Sequence, residues 1–114
     1  MDRVEIYKRA NYQCELTGST SGLQLHHIVR RRYDVDRPEN LILLCWEMHH
    51  GDMGAHNNRQ LDLQLKRGLQ KYYRDCGYTR EKIKKLMGGR FYPGKIVFEN
   101  VKSHFEKVRE CHNH

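Results

Sequence analysis

Apolar and polar residues in the first half of the chain form two short patterns that are typical of β-strands. Residues 23–29, LQLHHIV, alternate apolar and polar positions, and residues 40–45, NLILLC, form a compact apolar run. Between them, residues 30–40, RRRYDVDRPEN, carry many charges and a proline, which predicts an exposed loop. The pattern therefore predicts two strands joined by a charged loop.

Helical spacing of apolar residues dominates the second half of the chain. It predicts a helix over residues 60–76 and another over 80–87, with Thr79 as the N-cap of the second. A final helix is predicted to start near Asn100. Residues 95–99, KIVFE, fit either a strand or the beginning of that helix, and both interpretations stay open.

Shorter elements are predicted around the two strands. Residues 3–10 are compatible with a short opening helix, and residues 14–22, CELTGSTSG, are typical of a loop. Residues 46–58, WEMHHGDMGAHNN, combine helix-compatible positions with two glycines, so we expect a short helix that breaks into a loop.

The composition is that of one small globular domain. The 114 residues, with a mass of 13.7 kDa, are 38% hydrophobic and 31% charged. No apolar run approaches the length that spans a bilayer, and charges interrupt the apolar stretch of the N-terminus, unlike a signal peptide. We expect a single domain over residues 1–114, a cytoplasmic location and no membrane partner.

The net charge of +7 is distributed unevenly along the chain. Residues 1–56 contain seven Lys and Arg against eight Asp and Glu, whereas residues 57–114 contain fourteen against six. A basic segment beside a near-neutral, histidine-rich one is typical of a polyanion-binding surface joined to a site. Solvated helix faces would produce the same charge pattern, so that alternative stays open.

Histidines are concentrated in the first half, where five of the eight lie between positions 26 and 56. Because side chains alternate along a strand, His26 and His27 are expected to point to opposite faces. One ring can then face a metal ion and the other a substrate phosphate, with His49 or His50 as a second ligand and His56 as a third. Such a cluster suits metal-assisted phosphodiester hydrolysis, because a divalent cation neutralises transition-state charge and histidine is a base near neutral pH.

The segments CELTG, LQLHHIV and DRPENLILLC, with the histidines that follow them, resemble the HNH nuclease family. The resemblance covers residues 9–56 and implies an α+β fold in which two strands and a helix, the ββα-metal or His-Me finger motif, surround one ion. The run HHGDMGAH looks like short phage and prophage HNH proteins, and TREKIKKLMGGRFY resembles the helix that follows the motif in them. Residues 1–56 would then form the catalytic core and residues 57–114 a basic helical extension.

The family pattern is a His pair, an Asn just before the second strand and histidines on the helix, and it implies a role for each matching residue. His26 and His49 would be metal ligands, and His27 would be the general base. Asn40 would brace the loop, and its backbone or side chain would hydrogen-bond the far nitrogen of His27, which fixes the tautomer of that ring.

The remaining site residues are implied less directly by the same resemblance. His56 would be the third metal ligand or a phosphate contact, and His50 is its competitor for the ligand position. Three arginines next to the site are expected to grip phosphates, with a solvated loop as the alternative. They are Arg30, Arg31 and Arg32.

The cysteines depart from the family pattern. Many HNH proteins bind a structural zinc through two Cys-x-x-Cys pairs, whereas here the matching segments are CELT at 14–17 and CWEM at 45–48. Thr and Met are not ligands of such zinc sites, so we expect no structural zinc and predict that Cys14 and Cys45 pack the strands together. Without a secretory signal the four cysteines are expected to be thiols rather than disulfides.

Other conspicuous side chains are assigned structural roles. We predict surface positions for the histidines outside the motif, which are His104, His112 and His114. We predict core positions for three aromatic residues, which are Trp46, Tyr72 and Tyr73.

These features together predict a metal-dependent HNH endonuclease that hydrolyses DNA phosphodiester bonds and leaves 5′-phosphate and 3′-hydroxyl ends. One divalent ion, Mg, Mn, Ni or Zn, would stabilise the 3′ leaving oxygen. DNA would be bound mainly through its phosphate backbone, by a single chain, a homodimer or a chain joined to a phage machinery partner. The alternatives are a non-catalytic nucleic-acid-binding module on the same frame, or a nuclease subunit of a phage packaging or recombination machine.

Overall fold

The computed structural model describes residues 2–30 and 34–112, the last four of them by backbone alone. Within these residues the chain forms two β-strands and five α-helices, so the fold mixes α and β structure. In chain order they are α1 (Val4–Arg9), β1 (Gln24–His27), β2 (Leu41–Leu44), α2 (Trp46–His49), α3 (Arg59–Asp75), α4 (Arg80–Leu86) and α5 (Glu99–His112). A 3-10 turn over Pro38–Asn40 leads directly into β2.

The two predicted strands pair in an antiparallel sheet. His26 lies opposite Ile42 and His27 opposite Leu41 in the register. All four residues of β2 are buried, which fits its continuous apolar sequence. Helix α1 is tied to this strand because the Arg9 guanidinium donates a hydrogen bond to the Leu41 carbonyl at 2.7 Å.

The helices of the second half begin and end close to the predicted positions. The Thr79 hydroxyl accepts a hydrogen bond from the Lys82 amide at 3.2 Å, which confirms it as the N-cap of α4. Helix α5 begins at Glu99, and residues 95–98 adopt neither strand nor helix. The core lies where α3 packs against α4 and α5, and it is continuous with the buried side chains of β2. Its members include Leu65, Leu69, Tyr73, Ile83, Val101 and Phe105.

The predicted burial of two conspicuous side chains, Trp46 and His104, is wrong. Trp46 is 56% exposed, because it opens α2 at the surface of the molecule. His104 is only 3% exposed, because its spacing of three residues from Val101 and four from Val108 places it on the apolar face of α5. Tyr72 and Tyr73 are buried as predicted. The side chains of His112 and His114 lie outside the described residues.

The loop before β2 is not exposed throughout, contrary to the prediction. Arg37 and Glu39 are each only 8% exposed. The Arg37 guanidinium donates to the Tyr73 hydroxyl and to the Leu86 carbonyl, both at 3.0 Å, and the Tyr73 hydroxyl donates to the Glu39 carboxylate at 2.7 Å. Buried charges are tolerated when they are paired and hydrogen-bonded. This network therefore joins the loop to α3 and α4.

Cys14 and Cys45 are buried thiols in the core, which confirms their predicted packing role. The Thr17 hydroxyl lies 3.7 Å from the Cys45 sulfur, so the positions that match the zinc-binding segments do come together. Cys76 is an exposed thiol.

None of the helices within residues 2–30 and 34–112 combines the length and the apolar character that crossing a bilayer requires.

Candidate metal centre

Strand β1 presents its two histidines to different surroundings. His26 is 2% exposed and packs toward α2, whereas the side chain of His27 remains 26% exposed. This difference follows from the alternation of side chains along a strand. The pair can therefore serve two separate roles from adjacent positions.

The turn after α2 brings two further histidines together on the inner side of β1. Beyond His49, the last residue of α2, the chain folds back so that the His56 amide donates to the His49 carbonyl at 3.2 Å. A Cβ atom at Gly54 would lie only 2.7 Å from the Glu47 carbonyl oxygen, so this close return of the chain requires glycine.

His26, His49 and His56 form what we term the histidine cluster, in which one nitrogen from each ring lies within 4.8 Å of the others. The His26 ring centroid is 5.1 Å from each of the other two, and the Nε2 atoms of His49 and His56 are 2.9 Å apart. His50 is exposed, and its ring stacks on that of His56 at 4.9 Å without joining this group. The geometry thus favours His56 over His50 as the third member.

A directional chain of hydrogen bonds sets the protonation of two of these rings. Arginine has only donors, so Arg30 Nη1 donates to His56 Nδ1 at 3.2 Å, and the proton of that neutral ring sits on Nε2. His56 Nε2 then donates to His49 Nε2 at 2.9 Å, and His49 Nδ1 donates to Gln24 Oε1 at 2.7 Å. His26 stands apart, since its buried Nε2 has no hydrogen-bond partner among the described residues.

The surroundings hold all three rings neutral. Burial, followed by the nearby His49, lowers the pKa of His26 to about 3. Burial, followed by the nearby His50, lowers the pKa of His49 to about 4. Burial and then the Arg30 guanidinium lower the pKa of His56. Neutral imidazoles offer the lone pairs that a divalent ion needs, so at neutral pH the cluster is in the form that binds metal.

The cluster fits a divalent ion with nitrogen ligands. His26 Nε2 is unpartnered among the described residues, and the lone pair of His49 Nε2 becomes available once His56 no longer donates to it. The Gln24 contact is the type of outer hydrogen bond that orients a ligating imidazole. To place an ion about 2.0–2.1 Å from each nitrogen, the rings would need small rotations that bring the three nitrogens closer together than their present separation of up to 4.8 Å. His56 would also have to move its proton to Nδ1, where Arg30 could no longer donate.

On the other side of β1, His27 is paired with Asp36. His27 Nε2 lies 2.7 Å from Asp36 Oδ1, and because a carboxylate only accepts, Nε2 carries the proton and Nδ1 keeps its lone pair. The hydrogen bond from His27, together with the Arg3 guanidinium at 3.1 Å, lowers the pKa of Asp36. Sequence reasoning missed Asp36, and only its place in the loop that returns to β2 could have pointed to it.

Asn40 braces the loop between the strands, but its side chain does not bond to His27 as expected. Its Oδ1 accepts from the Val29 amide, and its Nδ2 donates to the carbonyl oxygens of Val29 and Val35, each at 2.8 Å. Both protons of the fully buried carboxamide are therefore used on the loop backbone. Asn40 reaches His27 only indirectly, because Asp36 follows Val35 in the braced loop.

The three arginines expected to grip phosphates are described only in part. Arg30 is exposed and lies beside the histidine cluster through its contact with His56. Arg31 and Arg32 lie outside the described residues. A cation next to the cluster can contact an anionic substrate, and it also disfavours a second positive charge at His56.

Neither protein-family models, nor curated proteins, nor solved structures match this chain. The functional interpretation therefore depends on the residues of the chain and on their geometry.

Proposed function

We propose that this chain is a divalent-metal-dependent endonuclease of the HNH type that hydrolyses phosphodiester bonds in DNA. One observation carries the proposal. Two adjacent histidines on β1 have different surroundings: the first belongs to the three-imidazole cluster, and the second points away from it. His26 belongs to the cluster, and His27 is held by Asp36. Strands β1 and β2, followed by α2, have the order of elements of a ββα-metal motif.

Each of these side chains has a defined part in the proposed reaction. His26, His49 and His56 would hold the ion, which when bound supplies charge stabilisation at the phosphoryl and 3′ leaving oxygens. His27 would accept a proton from the attacking water at Nδ1, because its Nε2 proton is committed to Asp36. The Asp36 carboxylate would then stabilise the imidazolium that forms. The expected products carry 5′-phosphate and 3′-hydroxyl ends.

The charge of the molecule supports DNA as the substrate. Residues 57–114, which begin just after the cluster, carry fourteen Lys and Arg against six Asp and Glu. Arg30 adds an exposed guanidinium next to the cluster itself. Cations of this kind bind the phosphate backbone whatever the base sequence, so affinity should fall steeply as salt rises.

Plasmid nicking in Mg²⁺, Mn²⁺, Ni²⁺ or Zn²⁺ tests the proposal. His27→Ala is expected to slow nicking by at least about 100-fold, the usual contribution of a general base, without loss of metal binding in equilibrium dialysis. Glu81→Ala, at an exposed position on α4 away from the cluster, is the control and should nick normally. Excess chelator should stop the wild-type reaction.

Two results would contradict parts of the proposal separately. An undiminished nicking rate in His27→Ala would remove the base assignment. Nicking that persists in excess chelator would remove the metal from the reaction.

A further inference from the structure

A small notch in the surface adjoins the histidine cluster. It has a volume of about 150 Å³ and is lined by the cations Arg30, Lys66 and Arg90, above Met87 and Gly88. The three cations come from distant parts of the chain, since Arg30 follows β1, Lys66 lies on α3 and Arg90 follows α4. None of the described residues that line the notch is acidic. The fold thus gathers three positive charges around one depression.

Two of the three cations, Arg30 and Arg90, have no acidic partner among the described residues. Lys66 Nζ pairs with Asp62 on the same helix at 2.9 Å. Arg90 is exposed and has no ion-pair or hydrogen-bond partner among the residues that the structure describes. Arg30 donates to His56, which is a neutral acceptor. Like charges around one depression repel each other, so an anion placed among them would be bound favourably.

The size of the notch restricts the type of anion. At about 150 Å³ it is smaller than the pockets of about 300–1,000 Å³ that enclose drug-sized ligands, so it is suited to a single tetrahedral group rather than to a whole nucleotide. Guanidinium groups match phosphate oxygens in both geometry and charge, and two of the three cations are arginines.

We propose that the notch of Arg30, Lys66 and Arg90 binds one backbone phosphate of the nucleic-acid strand, next to the phosphate held at the histidine cluster. The proposal rests on the proposed function, because it needs a nucleic-acid strand bound at the histidine cluster. Arg30 contacts His56 and so places the notch beside that cluster. The notch would fix the position of the strand relative to the ion and to His27, without reading base sequence.

The molecule offers a matched control at a second depression. The cleft between α3 and α5 has a volume of about 430 Å³, and it is lined by acidic Asp75 and Glu106 as well as by cations that include Lys102. Lys102 is exposed and pairs with Glu99 at 3.3 Å. Lys102→Gln therefore removes one positive charge from the basic extension without touching the notch.

The test measures DNA binding without cleavage. A short fluorescent duplex is titrated in excess chelator, and its anisotropy is followed over a series of salt concentrations. Arg90→Gln is expected to raise Kd about tenfold, because one charge-assisted contact is lost. The plot of the logarithm of the association constant against the logarithm of salt concentration should become less steep by about 0.9. Arg90→Lys should retain most of the affinity, and Lys102→Gln should leave the slope unchanged.

Double variants decide whether the cations share one phosphate. The effects of Arg90→Gln and Lys66→Gln should combine to less than their product, because removal of one cation already weakens the contact that the other makes. The double variant Arg90→Gln with Lys102→Gln should bind like Arg90→Gln alone, because Lys102 lies outside the notch. Circular dichroism checks that the variants are folded, above all Lys66→Gln, because the Lys66 side chain is half-buried.

Three results would overturn the notch proposal. The first is an equal effect of Arg90→Gln and Lys102→Gln, and the second is full multiplication of the Arg90 and Lys66 effects. The third is Arg90-dependent binding of inorganic phosphate together with DNA affinity that is indifferent to Arg90. If the wild type nicks DNA but Arg90→Gln and Lys102→Gln weaken binding equally, the notch proposal is refuted and the nuclease function is not. Arg90-dependent DNA binding without any nicking would refute the nuclease function alone.

Discussion

Replacement of Asn40 tests whether this residue acts through the loop or directly on the candidate base. Its carboxamide is fully buried and makes three hydrogen bonds of 2.8 Å to the backbone of Val29 and Val35. At about 1 kcal/mol for each net hydrogen bond, Asn40→Ala should lower the free energy of unfolding by about 3 kcal/mol. That is a large part of the roughly 5–15 kcal/mol that stabilises a typical domain.

Asn40→Asp keeps the side-chain oxygen that accepts from the Val29 amide but removes the NH2 group that donates two hydrogen bonds. The carboxylate can still accept from the Val29 amide, but its second oxygen would face the Val29 and Val35 carbonyl oxygens. We therefore expect a loss of stability at least as large as in Asn40→Ala at neutral pH, with partial recovery as acid protonates the buried group. Urea denaturation followed by circular dichroism measures both variants against the wild type.

The nicking assay completes this test. If Asn40 acts through the loop, activity should fall together with stability, because the loop carries Asp36 and Asp36 holds His27. Unchanged urea midpoints in both variants would refute the hydrogen-bond argument. Wild-type stability combined with lost activity would show instead that Asn40 acts at the reaction itself.

Three further substitutions test other contacts. Gly68→Ala would place a Cβ atom 2.4 Å from the Phe105 ring. Overpacking costs about 1–3 kcal/mol and alanine regains about 1 kcal/mol of helix propensity, so urea denaturation should show a net loss of up to about 2 kcal/mol, and a variant more stable than the wild type would contradict the clash. Burial lowers the pKa of His104 from 6.5 to about 4, so below pH 6.5 the unfolded chain takes up a proton at this residue that the folded chain does not. His104 alone should contribute about 3 kcal/mol of the stability that is lost as pH falls to 4, beside the contribution of the histidine cluster, and a pH profile of stability that His104→Leu leaves unchanged would contradict this. Arg30→Ala removes the donor to His56 Nδ1 and should tighten divalent-metal binding in titration calorimetry, whereas unchanged or weaker binding would contradict the tautomer argument.

Much of the fold was predictable because its signals are local. The period of apolar residues predicts α3, and the alternating and apolar runs predict β1 and β2. These signals are visible because the buried face of one helix or strand determines which neighbouring positions are apolar. The burial of His104 was missed because histidine was treated as polar, although its spacing with Val101 and Val108 put it on the apolar stripe. The burial of Arg37 was missed because its partners Tyr73 and Leu86 lie far along the chain.

The sequence predicts which histidines belong to the candidate site, but it does not predict the contacts that they make. Clustering of histidines and the family resemblance singled out His26, His49 and His56, because residue type and order are visible in the sequence. The bond from Arg30 to His56 and the pairing of Asp36 with His27 were not visible. Both depend on how irregular loops return to the sheet, and no periodic pattern encodes that path.

The contacts of Arg37 have a consequence for modularity. A chain cut after residue 58 would keep every histidine of the cluster but would lose the Tyr73 hydroxyl and the Leu86 carbonyl that receive the Arg37 guanidinium. The cut would also remove the core residues that α3, α4 and α5 contribute, so the apolar side chains of β2 would lose the cluster that buries them. The basic helices are therefore no detachable DNA-binding appendage. They are part of the scaffold that keeps the strands and their histidines in place, and the two halves should melt in one transition.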